Sequence, residues 1–144
     1  MANVGWLLDT NVVSEWTKPR PAVSVVRWLA DVDEDRVFIS VVTLAELRDG
    51  VERLASGRRK TVLDDWLRRE LVDRFSERVL AVDAAVADRW GVMLSRARAA
   101  GRPVGSMDAC IAALAAHHRL TVATRNVEDF AALGVTTSDP WRAG

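Results

Sequence analysis

Short apolar runs alternate along the chain with longer stretches whose apolar residues recur every three or four positions. Val4 to Leu8 is a brief apolar run closed by Asp9-Thr10-Asn11, which predicts a buried strand. Val12 to Trp16 predicts a short helix, stopped at an exposed loop by the prolines of Lys18-Pro19-Arg20-Pro21. Ala22 to Asp31 predicts a helix with Val23, Val26, Leu29 and Ala30 on its inner face. The β-branched run Val37 to Val42 predicts a second buried strand. Thr43 to Ala55 predicts a helix with Leu44, Leu47, Val51 and Leu54 inward, ended by Ser56-Gly57. A third long helical pattern opens at Arg58-Arg59-Lys60 and runs through Leu71 to Phe75, with Val62, Leu63, Trp66 and Leu67 apolar. Val79 to Val82 predicts a strand, and Asp83 caps a helix carrying Val86, Trp90, Met93, Leu94 and Ala97 up to Gly101. Beyond the loop Arg102-Pro103-Val104-Gly105, Ser106 starts an Ala-rich helix reaching about His118. Leu120 to Thr124 predicts a strand, Val127 to Leu133 a helical turn, and Gly134-Val135-Thr136 an edge strand. Asp139-Pro140-Trp141 predicts an irregular tail with Trp141 folded back as an anchor.

Strands alternating with helices predict an α/β fold, a central parallel sheet flanked by helices. The 144 residues form one domain, with the core at about residues 4–136 and a short tail. Hydrophobic residues make up 49% and charged residues 28%, which excludes a disordered tail. Lysine plus arginine equals aspartate plus glutamate at 20 each, so any nucleic-acid contact must come from a local patch. The single cysteine, Cys110, excludes an intrachain disulfide and a cysteine zinc site, and it reads as a small buried filler. Neither a signal peptide nor a membrane span is recognised, so a cytoplasmic enzyme or binding protein is expected.

Four acidic positions stand out. Asp9 follows the first strand directly, where ligands of open α/β sheets bind; it could equally cap the next helix. Glu46 lies three residues after Thr43, the spacing of a capping box. Asp108 opens an apolar helix, where an acid also suits the helix dipole. Asn126 and Asp129 follow the strand ending at Thr124, and an N-cap would explain either. Together, however, these acids fall on one rim of the sheet. Crowded carboxylates raise one another's pKa unless a cation lies between them. Oxygen-only ligation suits Mg²⁺ or Mn²⁺, and the chemistry implied is metal-assisted phosphodiester cleavage. The two histidines, His117 and His118, sit at a helix end and serve its dipole.

Leu8-Asp9-Thr10-Asn11-Val12-Val13-Ser14-Glu15 resembles the opening signature of PIN-domain ribonucleases. Ser40-Val41-Val42-Thr43-Leu44-Ala45-Glu46-Leu47 resembles their second motif, and Gly105-Ser106-Met107-Asp108-Ala109-Cys110-Ile111-Ala112-Ala113 their third. Thr124-Arg125-Asn126-Val127-Glu128-Asp129-Phe130 resembles the last, and the four stand in order over nearly the whole chain. The likeness is to VapC toxins of type II toxin–antitoxin pairs. The Ser-Glu after the first motif, the Ala-Glu-Leu and the closing Asp-Pro-Trp favour the FitB-like branch.

The resemblance implies a PIN fold and a Mg²⁺- or Mn²⁺-dependent endoribonuclease that hydrolyses RNA phosphodiester bonds. Asp9, Glu46, Asp108 and Asp129 would be its catalytic acids, with Asp9 and Asp108 holding the metal. It also implies an inhibiting antitoxin, a homodimer, and assembly up to a hetero-octamer with antitoxin on operator DNA. The antitoxin is expected over the early helices, at about residues 12–54, where Trp16 and Trp28 stand near the proline loop. Asn126 stands at one of the two places where this family carries its fourth acid, which leaves Asp129 as the carboxylate of the pair. Thr10, Asn11, Ser106, Thr124 and Asn126 are the supporting residues around these acids; Thr10 and Asn11 could also simply shape the turn, and Ser106 could cap its helix. Arg48, Arg102 and Arg125 are the candidate RNA contacts, each a few residues from a proposed ligand. Arg58-Arg59-Lys60 reads as a solvated helix start.

Other enzyme classes fit less well. A haloacid dehalogenase-type phosphatase needs an acid at the position of Asn11. A receiver domain needs a lysine after a strand, and the only lysines are Lys18 and Lys60. A dinucleotide-binding domain needs G-x-G-x-x-G, which is missing. The alternative that remains is a PIN-like module that binds RNA or protein without cutting.

Overall fold

In the computed structural model, residues 5–142 are described. Five parallel strands lie in the order β3-β2-β1-β4-β5: β1 (Trp6–Leu8), β2 (Val37–Ser40), β3 (Val79–Leu80), β4 (Thr121–Ala123) and β5 (Thr137–Ser138). The alternation read from the sequence is therefore a parallel α/β sheet. Val4 of the first predicted strand lies outside the described residues. Successive side chains of a strand face opposite ways, and β1 divides the core accordingly. Leu7 packs with Val86, Ile111, Leu114, Val122 and Phe130 on one face, while Leu8 packs with Val12, Val13, Ile39, Leu71 and Phe75 on the other. Helices α6 (Ala84–Ala99), α7 (Ser106–His118) and α8 (Val127–Ala132) belong to the first layer. Helices α1 (Thr10–Ser14) and α2 (Val23–Asp31) and the stretch from α4 (Arg58–Asp65) to α5 (Val72–Phe75) belong to the second. Helix α3 (Val41–Glu52) gives Val42 to one cluster and Val51 to the other.

Several predicted boundaries move, each for a local reason. The second strand stops at Ser40 rather than Val42, because the Ser40 side chain caps α3 by accepting the Thr43 N–H at 3.1 Å. The first helix begins at Thr10, since Asp9 accepts the Thr10 N–H at 2.8 Å, and it tightens into a 3₁₀ turn over Glu15–Thr17. On α2 the inner face is Val25 and Leu29; Val23 and Val26, predicted inward, are 66% and 44% exposed. The long helix predicted from Arg58 to Phe75 is interrupted by one wide turn, Trp66–Leu71. The edge strand sits at Thr137–Ser138, three residues after the predicted Gly134, which adopts a positive φ of 80° as the turn into it. Asp83 does cap α6, accepting the Val86 N–H at 2.9 Å. Trp141 does fold back: its carbonyl accepts the Ser24 hydroxyl at 3.1 Å and its ring lies 5.2 Å from the Arg125 guanidinium. Cys110 is fully buried in α7. Among the described residues no helix is long and apolar enough to cross a membrane.

Candidate active site at the carboxyl rim of the sheet

The carboxyl ends of β1, β2 and β4, together with the first turns of α7 and α8, present the predicted acids. Asp9 ends β1 and is 4% exposed. Its Oδ1 accepts the Thr10 N–H and its Oδ2 accepts the Thr124 hydroxyl at 2.8 Å. Burial pushes its pKa up, the two hydrogen bonds pull it down, and the Glu46 charge pushes it up again, leaving it raised. Asp108 stands half-buried in the first turn of α7. Burial raises its pKa to about 6, helped by the charges of Asp9, Asp129 and Glu46. Asp108 thus feels the charges of three carboxylates from other segments, and Asp9 feels that of Glu46.

Two bland readings are removed here. Glu46 forms no capping box, because the cap of α3 is Ser40 and not Thr43. Glu46 instead accepts the Thr10 hydroxyl at 2.6 Å. Behind it lies a chain of hydroxyls: Thr10 Oγ1 is 3.0 Å from Thr43 Oγ1, and Ser40 Oγ donates to Thr43 Oγ1 at 3.5 Å. Thr43 is fully buried and Ser40 nearly so, and neither was singled out from the sequence. Likewise Asn126 occupies the cap position of α8 without a side-chain capping bond, so its exposed side chain is left for other contacts. Its N–H donates to the Thr124 hydroxyl at 2.9 Å. Thr43→Val should cost about 1–2 kcal/mol in urea denaturation, because the hydroxyls of Thr10 and Ser40 lose a buried partner. Thr43→Ser should recover most of that loss; a valine variant as stable as wild type would show that the hydroxyl chain contributes nothing.

Other expectations need correction. Asp9, Glu46 and Asp108 do not meet around a single cation position: among the described residues, no three His, Cys, Asp or Glu side chains converge closely enough to enclose a metal. Glu46 is drawn aside by Thr10, and like charges oppose closer approach. Ser106 is not a helix cap; Gly105 holds that position, and the exposed Ser106 contributes its carbonyl to the Trp90 indole N–H at 2.9 Å. Arg48 is engaged on α4 and α3, 2.6 Å from Asp64 and 3.2 Å from Glu52. Arg102 and Arg125 are exposed, with Arg125 against Trp141.

The donor set that remains is still oxygen only. Asn11, the residue after Thr10, carries a buried Oδ1 without a hydrogen-bond partner. A hard ion such as Mg²⁺ is held through one or two carboxylates and keeps several waters, so Asp9 and Asp108 suffice as its protein anchors. Glu15, which the sequence offered only as the tail of the first motif, is a further buried acid at 3% exposure. It accepts the Ala22 N–H at 2.9 Å and pairs with Lys18, closing the proline loop. Burial works against its charge, but Lys18, the Ala22 N–H and Arg125 outweigh it and hold its pKa below the usual value. A carboxylate inside the apolar run Val12–Trp16 was the available signal for such a role.

The PIN-domain family profile matches residues 6–135. The chain belongs to the PIN-domain family. Toxin FitB of Neisseria gonorrhoeae is 41% identical over 135 residues, covering 94% of this chain and 97% of that protein. VapC ribonuclease Y4jK of Sinorhizobium fredii is 33% identical, with coverage of 94% and 96%. The solved structure of FitAB bound to a DNA fragment superposes with a TM-score of 0.91 at 37% identity, covering 96% of this chain and 97% of the other. This PIN domain is thus similar, over nearly its full length, to FitB-like members of the VapC family.

Proposed function

We propose that this PIN domain is a divalent-metal-dependent endoribonuclease acting as the toxin of a type II toxin–antitoxin pair. The observation that carries the reading is the half-buried Asp108 set among Asp9, Glu46 and Asp129 at the carboxyl rim, beside the buried Asp9 held by Thr124 and the Thr10 N–H. Among the described residues the ion pairs lie elsewhere and none involves these four carboxylates, so the cluster favours a hard cation and, through it, a phosphate. Similarity to proteins described as toxin and ribonuclease supports the same reading. When bound, Mg²⁺ or Mn²⁺ supplies Lewis acidity and offsets charge at the phosphoryl group.

The chain's own residues do the rest. Asp9 is fixed in one orientation by Thr124 and the Thr10 N–H and would hold the ion with that carboxylate. Asp108, which loses its proton near pH 6, would hold the ion from the start of α7. Glu46, aimed by Thr10 and Thr43, and Asp129, on α8, hold and align water at the periphery. Asn126 offers a neutral polar group near Asp129.

The antitoxin is proposed to occupy the groove that leaves the site. A cavity of about 240 Å³ runs from Thr10 and Glu46 past Leu47 and Leu54 to Trp66. It adjoins a larger one of about 760 Å³ between Trp16 and Trp66, and Arg59 lines both. The partner surface expected over residues 12–54 thus extends onto α4. A homodimer, and assembly with antitoxin on operator DNA, belong to the same proposal, supported by the DNA-bound FitAB relative. Cleavage of mixed RNA should require Mg²⁺ or Mn²⁺ and stop on chelation. RNA binding without cleavage under either ion would favour the non-cutting module instead, and cleavage that survives chelation would overturn the metal assignment.

A further inference from the structure

Many of the described cationic residues are engaged. Lys18, Arg48, Arg53, Lys60, Arg68, Arg69, Arg74 and Arg142 meet carboxylates, and Arg78 donates to backbone carbonyls. The stretch from Arg89 to Met107 is different. Its only charged side chains are Arg89, Arg96, Arg98 and Arg102, with no acid among them, in a chain whose net charge is zero. It leads straight into Asp108. Arg96 and Arg102 line a cavity of about 340 Å³, and among the described residues neither is in an ion pair. The cavity's other walls are apolar: Met93, Ala97, Ala132 and Leu133.

Two short tethers tie this cavity to the acidic rim. The loop that starts at Arg102 ends at Gly105, where an added Cβ would stand 4.0 Å from Asp108 Oδ2. Four extended residues span at most about 13 Å. Helix α8 carries Asp129 in its first turn and reaches the cavity at Ala132 and Leu133, a rise of only about 9 Å over six residues. The Trp90 indole bond to the Ser106 carbonyl holds α6 against the start of α7 and fixes the spacing.

We infer that this cavity is a subsite for a flanking nucleotide of single-stranded RNA, its phosphate held by Arg96 and Arg102 and its base laid on the Met93–Leu133 floor. The inference rests on the ribonuclease reading of the neighbouring acids. A guanidinium pair suits a phosphate, which it can grip through directed N–H bonds, while an apolar floor accepts any base. The subsite sets affinity and register and takes no part in the chemistry.

The test uses the Asp108→Asn chain with a fluorescein-labelled mixed-sequence single-stranded RNA, read by anisotropy across a salt series with Mg²⁺ present. Adding Arg96→Gln and Arg102→Gln should weaken binding about tenfold and flatten the log K against log salt slope by about 0.7, for the one phosphate the two arginines share. In the chain with Asp108 intact, the same pair should raise KM for long RNA and leave kcat unchanged. An unchanged Kd and slope in a chain that still cleaves RNA would overturn the subsite alone. A wild-type chain that neither binds nor cleaves RNA would overturn the ribonuclease reading and the subsite with it.

Discussion

Asp108→Asn should abolish RNA cleavage, by at least about 10³-fold, while making the metal-free protein more stable. Both halves follow from the same carboxylate. Its folded-state pKa is raised to about 6 by burial and by Asp9, Asp129 and Glu46. A raised acid favours folding fully below its unfolded pKa, near 3.8, and that contribution is lost as pH rises through about 6. At about pH 7.5 wild type therefore carries an unfavourable charge, worth about 1–2 kcal/mol once partial exposure is allowed for. Asparagine lacks it. Melting curves in a chelating buffer should show the variant above wild type by about 2–5 °C at pH 7.5, with the gap closing toward pH 4. Glu15 and Asp64, whose pKa values are lowered, oppose this trend in both proteins and cancel in the difference. Asp9→Asn should behave alike in cleavage, with a smaller gain in stability, because asparagine weakens the bonds from Thr124 and the Thr10 N–H. An Asp108→Asn protein with near-normal turnover in Mg²⁺, or with a wild-type melting profile, would contradict the assignment.

The sheet was legible in the sequence because its strands are apolar on both faces. Leu7-Leu8 and Val122-Ala123 are continuous buried runs closed by polar residues, a pattern a parallel sheet requires. Asp9, Asp108 and Asp129 were legible because each follows a strand or opens a helix, and Glu46, one turn into α3, through its place in the second motif. What escaped depends on one residue's choice of cap. Ser40 and Thr43 both satisfy an N-cap pattern, and propensity does not distinguish them. Ser40 takes the cap, the strand shortens to its position, and Thr43 turns inward. That single shift converts Glu46 from a capping residue into a partner of Thr10. The inner face of α2 was misread because valines surround the helix; periodicity cannot choose between Val23 and Val25 when both are apolar. The Arg48–Asp64 pair was not legible, because Asp64 lies sixteen residues away on another helix, beyond any local pattern.

Thr124→Val should be the most damaging substitution outside the carboxylates. The Thr124 hydroxyl is fully buried and joins two elements of the site: it donates to Asp9 Oδ2 and accepts the Asn126 N–H. Valine matches its shape and removes both bonds. A buried carboxylate oxygen and a backbone N–H each lose a partner, an expected cost of about 2–4 kcal/mol in denaturant unfolding. The chemistry should shift as well. The Thr124 bond lowers the Asp9 pKa against burial, so its loss lets that pKa climb further. Asp9 must be ionised to hold a cation, and the acid limb of the cleavage profile should therefore move toward higher pH. Thr124→Ser keeps the hydroxyl and should keep the wild-type limb, at a modest cost for the lost methyl. The comparison separates the two roles: if valine and serine shift the pH limb equally, Thr124 acts on Asp9 only through packing, and its hydroxyl does not tune the carboxylate.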